Sequence, residues 1–199
     1  DPNAPSRRRA TDKSLSKIIG VAESSNIKVG IMIPEYEGRT WDSMLVDVKN
    51  FNSRYGGRSC ILKTNRRPVV FIENAQKLNG SMYQMLRVRR SHLDCYYVGQ
   101  MNTKDEFLGG VQEGYDALTT YYADETASWA ANTDNWNEMK ILFDQRAITM
   151  IPAIAPGSFT VKRDAGRYYG VRWEKAVNTN NTIVLINSFN GWHEGTNIE

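Results

Sequence analysis

Continuous apolar runs rich in β-branched residues alternate with segments of helical period along most of this 199-residue chain. The runs do not alternate between apolar and polar side chains, a pattern typical of strands buried on both faces of a parallel sheet. Parallel strands need crossover connections, usually helices, between them. The predicted strands lie in "IKVGIMIPEY" (27–36, with the strand ending at Pro34), "RRPVVFIEN" (66–74), "CYYVGQ" (95–100), "YDALTTYY" (115–122), "ITMIPAIAP" (148–156) and "NTIVLINSF" (181–189). The last contains a run, "TIVLI", that predicts a buried strand.

The segments between these runs have helical spacing of apolar residues and recognisable ends. Thr11 and Asp12 offer an N-cap to the first helix, and Thr40 offers one to the second, which Gly56 and Gly57 should stop. The predicted helices are residues 12–24, 40–56, 80–91, 103–114, 134–147 and 168–179. Residues 1–10 are proline-rich, charged and without period, so they are predicted to form an N-terminal arm or linker ahead of one domain, residues 11–199.

Two architectures fit this α/β pattern, an open doubly wound sheet and part of a (β/α)8 barrel of the TIM type. The turn after the first predicted strand is not a G-x-G-x-x-G motif, which argues against a dinucleotide-binding fold. Polar and aromatic residues cluster just past the C-terminal ends of the strands, and in a barrel these ends meet on the face that holds the active site. They are Glu35, Tyr36, Glu73, Asn74, Tyr121, Tyr122, Pro156, Gly157 and residues 190–194. We therefore predict a partial TIM-barrel-like domain of about six β/α units.

Composition limits the possible functions. The formal net charge is only +3, and basic clusters at residues 6–9 and 87–90 do not form a convincing nucleic-acid surface. The two histidines, His92 and His193, make a histidine-rich metal site improbable, so neither a metal nor a cofactor is predicted. Cys60 and Cys95 either form one disulfide or are small buried side chains. No stretch reaches the length of a membrane span.

Four segments resemble, in the same order, motifs of the catalytic domain of glycoside hydrolase family 99, the endo-α-mannosidases and endo-α-mannanases. The C-terminal segment stands here as "SFNGWHEGTNIE" (188–199), where the family pattern is close to "SFNEWHEGTQIE". The others resemble the family's H-I-E-P-Y strand, its G-F-D-G-x-Y-T-Y-F-A segment, and its P-x-x-G-P-G segment with the R-x-x-G-x-Y-Y after it. They are "IKVGIMIPEYEGR" (27–39), "EGYDALTTYYA" (113–123), and "MIPAIAPGS" (150–158) followed by "RDAGRYY" (163–169). The resemblance covers roughly residues 11–199.

This resemblance implies a retaining mechanism in which one Glu deprotonates the sugar's own 2-hydroxyl and a second Glu, three residues on, protonates the leaving oxygen. The matching positions are Gly191 and Glu194, so Glu194 keeps the general acid/base role and the other carboxylate is absent. Two carboxylates are needed because one proton must be removed while another is delivered. Glycine has no proton acceptor. Replacement bases at the strand ends are a minor alternative, and the candidates are Glu35, Glu73 and Glu125.

Other family positions are partly kept. Met32 stands where the family has histidine, and the Glu-Pro order is inverted to Pro34-Glu35. The predicted substrate-binding residues, which would stack on sugar faces or bond sugar oxygens, are Tyr36, Tyr121, Trp192, His193 and Asn190.

Two functional hypotheses follow. In the favoured one, the chain is a non-catalytic, hydrolase-like domain that serves as a structural or glycan-binding subunit of a larger assembly. In the alternative, it is a retaining endo-α-mannosidase-like hydrolase with Glu194 as acid/base. Six strands cannot close an eight-stranded barrel, so either the missing strands lie on another chain or in a further part of the protein, or the fold is an opened relative. The first residue is aspartate rather than methionine, which indicates a piece of a longer product, and we expect another chain or domain to supply the missing strands. The expected ligand is an α-mannoside glycan. Localisation stays open.

Overall fold

The computed structural model describes residues 5–78, 93–122 and 124–198. The chain divides into two compact units, Asp1–Val98 and Gly99–Glu199. The strand Tyr96–Gln100 crosses the division, so its first residues belong to one unit and its last residues to the other.

The first unit contains the helices α1 (Pro5–Ser24) and α2 (Trp41–Tyr55). Its strands are β1 (Ile31–Ile33), β2 (Lys63–Thr64), β3 (Arg67–Ile72) and the start of β4 (Tyr96–Gln100). β1 lies parallel to β3 with Ile31 opposite Val70, β2 pairs antiparallel with β3, and β4 is the next neighbour of β3. A short 3-10 helix, Ala75–Lys77, follows β3.

Apolar side chains of α2 and of the sheet form the core of this unit. α2 buries Met44, Val48 and Phe51, and β3 buries Val70 and Ile72. α1 packs through Ile19 and Ala22 against Cys60 and Ile61. The Thr40 side chain caps α2 by accepting a hydrogen bond from the Ser43 N–H, while the Ser43 hydroxyl accepts one from the Thr40 N–H, a reciprocal capping box.

The second unit contains the end of β4 and the helices α3 (Lys104–Glu113), α4 (Trp136–Gln145) and α5 (Arg167–Asn178). Short 3-10 helices, Thr133–Asn135 and Asp164–Gly166, precede α4 and α5. The remaining strands are β5 (Ala117–Thr119), β6 (Thr149–Ile151), β7 (Ala153–Ile154) and β8 (Leu185–Ile186). β5 lies between β4 and β6 and is parallel to β6, and β7 is parallel to β8.

Pro152 divides one predicted strand into β6 and β7, which have different partners. Proline has no N–H to donate, so a strand that contains it is interrupted there. Its carbonyl still accepts a hydrogen bond from Leu185 N at 2.9 Å, and the Ala153 N–H donates to the Thr120 hydroxyl at 2.8 Å. The chain thus changes neighbours from β5 to β8 within two residues.

The predicted fold class is confirmed, because every predicted strand contains an observed one and helices lie between them. The described strands are mostly parallel and do not close into a barrel. The helix predicted at residues 80–91 lies outside the described residues.

One local prediction was wrong. "TIVLI" forms only the two-residue strand β8, and Ile183 and Ile186 are 39% and 37% exposed, so the run is not buried. Residues 5–10 of the predicted arm are helical, because Pro5 suits the first position of a helix and arginine is a good helix former. The separation of an arm from the domain stays a prediction.

Candidate functional site

Residues 188–198, which follow β8, fold back on themselves into a closed loop, called here the C-terminal loop. Ser188 N donates to Thr196 O at 2.9 Å, and Ile198 N donates to Ser188 O at 3.0 Å. Inside the loop, the Gly191 carbonyl accepts from both Glu194 N and Thr196 N, at 3.2 and 3.1 Å. Four backbone N–H groups and three carbonyls are therefore satisfied locally, which fixes the position of Glu194 relative to Gly191.

Gly191 lies against two side-chain hydroxyls of the same loop. A Cβ atom at this position would lie under 3.0 Å from Ser188 Oγ and from Thr196 Oγ1, and 3.3 Å from Ser188 Cβ. The two hydroxyls are hydrogen-bonded to each other at 3.0 Å. They occupy the space in which any side chain on residue 191 would begin.

A cavity of about 390 Å³ opens at the carboxyl ends of the strands of the second unit. Aromatic rings, two carboxylates, hydroxyls and one amide line it. Its lining residues are Tyr121, Tyr122, Asp124, Ser158, Phe159, Thr160, Asn187, Glu194 and Thr196. The volume falls within the range of about 300–1,000 Å³ that is usual for small-molecule sites.

A hydrogen bond joins the segment after β5 to the segment after β8, and both segments line this cavity. The Asn187 amide donates to the Tyr121 carbonyl at 3.1 Å. The rings of Tyr121 and Tyr122 pack edge to face with centroids 6.0 Å apart. Two hydrogen bonds to Asp124 Oδ1, from the hydroxyl of Thr126 at 2.7 Å and from its N–H at 2.8 Å, lower the pKa of the Asp124 carboxyl. Asp124 is thus an ionised carboxylate at neutral pH.

The loop between β7 and α5 also lines the cavity, through Ser158, Phe159 and Thr160. Gly157 has φ +138°, and a Cβ there would lie 2.8 Å from the Val161 carbonyl oxygen, so this turn requires glycine. Phe159 N donates to Glu194 O at 3.1 Å. Arg163 reaches back to the C-terminal loop and donates to the carbonyls of Gly195 and Asn197, at 3.0 and 2.6 Å. The loop is therefore attached to the segment that carries Glu194.

The family model of glycosyl hydrolase family 99 matches residues 6–199. The chain belongs to this family. It is 26% identical over 213 residues to glycoprotein endo-alpha-1,2-mannosidase of Mus musculus and 24% identical over 212 residues to the human glycoprotein endo-alpha-1,2-mannosidase-like protein. These alignments cover 96% and 95% of this chain and 46% of each relative. The family 99 chain thus spans about half the length of these curated relatives.

A solved structure gives the corresponding fold. The family 99 endo-alpha-mannosidase from Bacteroides thetaiotaomicron superposes with a TM-score of 0.88 at 24% identity, and the match covers 94% of this chain and 60% of that one. The parallel strands and helices described above are therefore part of a (β/α)8 barrel architecture.

Of the predicted site residues of this family 99 chain, Tyr121 and Glu194 line the cavity together. Asn190, Trp192 and His193 lie exposed in the C-terminal loop and do not line it. Tyr36 belongs to the first unit, where its hydroxyl is hydrogen-bonded to Ser43 Oγ at 2.7 Å, near the start of α2. The roles assigned to all six residues stay predictions.

Each candidate replacement base already has hydrogen-bond partners. Glu35 accepts from Asn74 at 2.6 Å and from Lys77 at 2.5 Å, and Lys77 is the main cause of its lowered pKa. Glu73 accepts from Glu35 N at 2.8 Å. The hydrogen bonds and the Lys77 cation that stabilise the Glu35 carboxylate make it a weaker base.

Glu125, the third candidate, accepts from Arg172 at 3.1 Å and from Thr133 at 2.8 Å. It does not line the cavity. Sequence reasoning overlooked Asp124, which does, although the residue directly follows the quoted "EGYDALTTYYA" segment. It also overlooked Ser158, Phe159 and Thr160, for which the signals were the Pro156-Gly157 pair at a strand end and, for Ser158, its place in the quoted "MIPAIAPGS" segment.

Among residues 5–78, 93–122 and 124–198, no group of three or more His, Cys, Asp or Glu side chains is arranged to hold a metal ion. Within the same ranges, the helices are too short or too polar to cross a membrane.

Proposed function

We propose that this chain is a mannose-glycan-binding domain of glycosyl hydrolase family 99 that does not hydrolyse its ligand. Its role would be that of a glycan-binding subunit within a larger assembly, in which another chain or domain supplies further barrel strands. The ligand class comes from the family and from relatives named endo-alpha-1,2-mannosidases. Because the chain spans only about half of the length of these relatives, its activity and its partners are proposals.

The observation that carries the proposal is Gly191. The resemblance places there the carboxylate that takes the proton of the sugar 2-hydroxyl, and glycine cannot accept a proton. The neighbouring hydroxyls of Ser188 and Thr196 do not replace it, because an aliphatic hydroxyl is not ionised near neutral pH. Loss of the general base typically lowers the reaction rate by about 10²–10⁴-fold.

The cavity supports binding. Rings of Tyr121, Tyr122 and Phe159 offer apolar faces of the kind on which sugar rings stack, and the carboxylates of Asp124 and Glu194 can accept hydrogen bonds from sugar hydroxyls. A largely apolar pocket with a few convergent polar groups is the usual form of a small-molecule site.

A second candidate function has one observation in its favour. Asp124 and Glu194 line the same cavity, so the site still holds two carboxylates even though residue 191 has none. A retaining endo-α-mannosidase-like hydrolase would use Glu194 as general acid/base and a different group to activate the 2-hydroxyl. The lowered pKa of Asp124 makes that residue a weak base.

The test combines binding and turnover on the purified chain. Calorimetric titration with α-1,2-mannobiose should show binding, and a fluorogenic α-mannosyl disaccharide should not be hydrolysed. Gly191→Glu is the informative variant, with Gly170→Glu as its control, because Gly170 lies exposed on α5 with nothing within 4 Å of its Cβ position. Hydrolysis gained only by Gly191→Glu would support the proposal.

Two results would overturn it. Wild-type hydrolysis that disappears in Glu194→Gln would establish a working enzyme with a substitute base. Absence of mannobiose binding at millimolar concentration would remove the glycan-binding role and leave a structural one.

A further inference from the structure

We infer that Asn190 deamidates spontaneously in the folded protein, so that the C-terminal loop gains a carboxylate one residue before Gly191. The feature that carries the inference is the Asn190-Gly191 pair. The pair exists because glycine stands where the family pattern has glutamate, so the residue that removes one carboxylate also creates a site at which another can form. The inference goes beyond the proposed function and does not depend on glycan binding.

The reaction is a cyclisation within this pair. The backbone nitrogen of Gly191 attacks the side-chain carbonyl carbon of Asn190 and loses its proton to water, while the side-chain nitrogen takes up a proton and leaves as ammonia. The new carbon–nitrogen bond closes a five-membered succinimide. Water then adds to one of the two succinimide carbonyls and breaks its bond to nitrogen, which gives aspartate or isoaspartate. Glycine favours the attack, because no Cβ crowds the nitrogen and the backbone adopts conformations closed to other residues.

Both reacting groups are free of hydrogen bonds within the described part of the chain. Asn190 is exposed, and neither its side-chain amide nor the Gly191 N–H has a hydrogen-bond partner among residues 5–78, 93–122 and 124–198. The hydrogen bonds of this segment are made by the carbonyls instead. Asn190 O accepts from Trp192 N at 2.9 Å, and Gly191 O accepts from Glu194 N and Thr196 N. The attack therefore does not have to break a hydrogen bond of either reacting group.

The pair Asn187-Ser188, three residues earlier, has the opposite arrangement. The Asn187 side-chain amide donates to Tyr121 O at 3.1 Å, and Ser188 N donates to Thr196 O at 2.9 Å. Both reacting groups are engaged there, so two hydrogen bonds must break before the ring can close. Deamidation of Asn187 should therefore be slower than that of Asn190 by about tenfold or more.

The conversion changes the segment that positions Glu194. In isoaspartate the main chain runs through the former side chain of residue 190, and the former backbone carbonyl, which accepts from Trp192 N, becomes the free carboxylate. The main chain before Gly191 is then longer by a methylene group. The loop thus gains a negative charge and a longer backbone next to the residue whose carbonyl accepts from Glu194 N.

The test keeps the purified native chain in oxygen-18 water at neutral pH for several days and then digests it with trypsin in ordinary water. Oxygen-18 in a new carboxylate marks deamidation that preceded digestion. Tandem mass spectrometry of the C-terminal tryptic peptide, residues 176–199, assigns the label to Asn190 or Asn187. Protein isoaspartate methyltransferase detects the isoaspartate product. The other Asn-Gly pair of the chain, Asn79-Gly80, lies outside the described residues and in a different tryptic peptide.

Two controls accompany the native protein. Chain unfolded in guanidinium is treated in parallel, and there Asn187 should become labelled as well because its hydrogen bonds are gone. Asn190→Gln should lose the label at residue 190, since a glutamine side chain would have to close a less favourable six-membered ring. Circular dichroism confirms that this variant, which changes an exposed side chain, is folded.

The expected result is label at Asn190 in native protein, with Asn187 labelled about tenfold more slowly or not at all. Absence of label at Asn190 in native protein would overturn the inference, whatever the unfolded chain shows. Equal labelling of Asn190 and Asn187 in native protein would overturn the argument from the free Gly191 N–H and the free Asn190 amide.

Discussion

The hydroxyls of Ser188 and Thr196 are hydrogen-bonded at 3.0 Å across the space in which a side chain on residue 191 would start. The glycine that removes a carboxylate from the family motif is therefore also a packing feature of this loop. A side chain at 191 must turn both hydroxyls away and break their hydrogen bond.

Gly191→Ala should accordingly destabilise the protein. We expect the free energy of unfolding to fall by about 1–3 kcal/mol, the usual effect of an added group in a filled space. Gly170→Ala should instead raise the free energy of unfolding. Its Cβ has open space, and alanine is favoured over glycine in a helix by about 1 kcal/mol. Urea denaturation monitored by circular dichroism measures both. Equal stability of Gly191→Ala and wild type would show that the two hydroxyls can turn away without a cost in free energy.

Arg172 should be among the most stabilising polar side chains of the second unit. Its guanidinium is fully buried on α5, bonds Glu125 Oε1 and Ala153 O at 3.1 Å each, and lies 5.3 Å from the centre of the Trp136 ring. We expect Arg172→Ala to lower the free energy of unfolding by about 3–5 kcal/mol, because a large buried side chain and an ion-pair partner are lost together.

The matched control is Arg167→Ala, at the first residue of the same helix. Arg167 pairs with Asp164 at 3.1 Å, but its side chain is 82% exposed, so the loss should stay within about 0.5 kcal/mol. A similar effect of the two substitutions in denaturant titrations would contradict the assignment of Arg172 as a core contact.

Features that depend on a few neighbouring residues were predicted more accurately from the sequence than features that depend on tertiary contacts. The boundaries of α2 follow from the Thr40 cap and from Gly56, because the hydrogen bonds involved span only a few residues. The burial of "TIVLI" depends on what lies against β8, and an apolar pattern cannot supply this information. Glu194 was located by its motif. Phe159 was missed, because its place in the cavity depends on the turn at Gly157 and on contact with Gly195.

The carboxyl of Asp124 should titrate below its usual range. The hydroxyl and the N–H of Thr126 both donate to it, and these hydrogen bonds favour the ionised form and lower its pKa. Because the pKa is lower in the folded than in the unfolded state, the stabilisation is present above the unfolded value of about 3.9 and is lost as pH falls through that value and the lower folded one.

A carbon-13 chemical-shift titration of the Asp124 carboxyl measures this directly. Thr126→Ala should move the midpoint up towards the ordinary aspartate value, whereas Thr126→Ser, which keeps the hydroxyl, should leave it low. If alanine and serine variants titrate alike, the hydroxyl is not the main cause of the shift.

The two cysteines should be free and unreactive in the native protein. Cys60 and Cys95 are both buried and unpaired with each other, at 2% and 0% exposure, and burial is the main cause of the raised pKa of the Cys95 thiol. The thiolate is the reactive form, so burial and a raised pKa both slow reaction with a thiol reagent. Native protein should therefore react slowly, and protein unfolded in guanidinium without reductant should show two thiols per chain at once. Cys60→Ala should show one. Unfolded, unreduced wild-type protein without reactive thiols would mean that the two cysteines form a disulfide, the alternative that the sequence by itself left open.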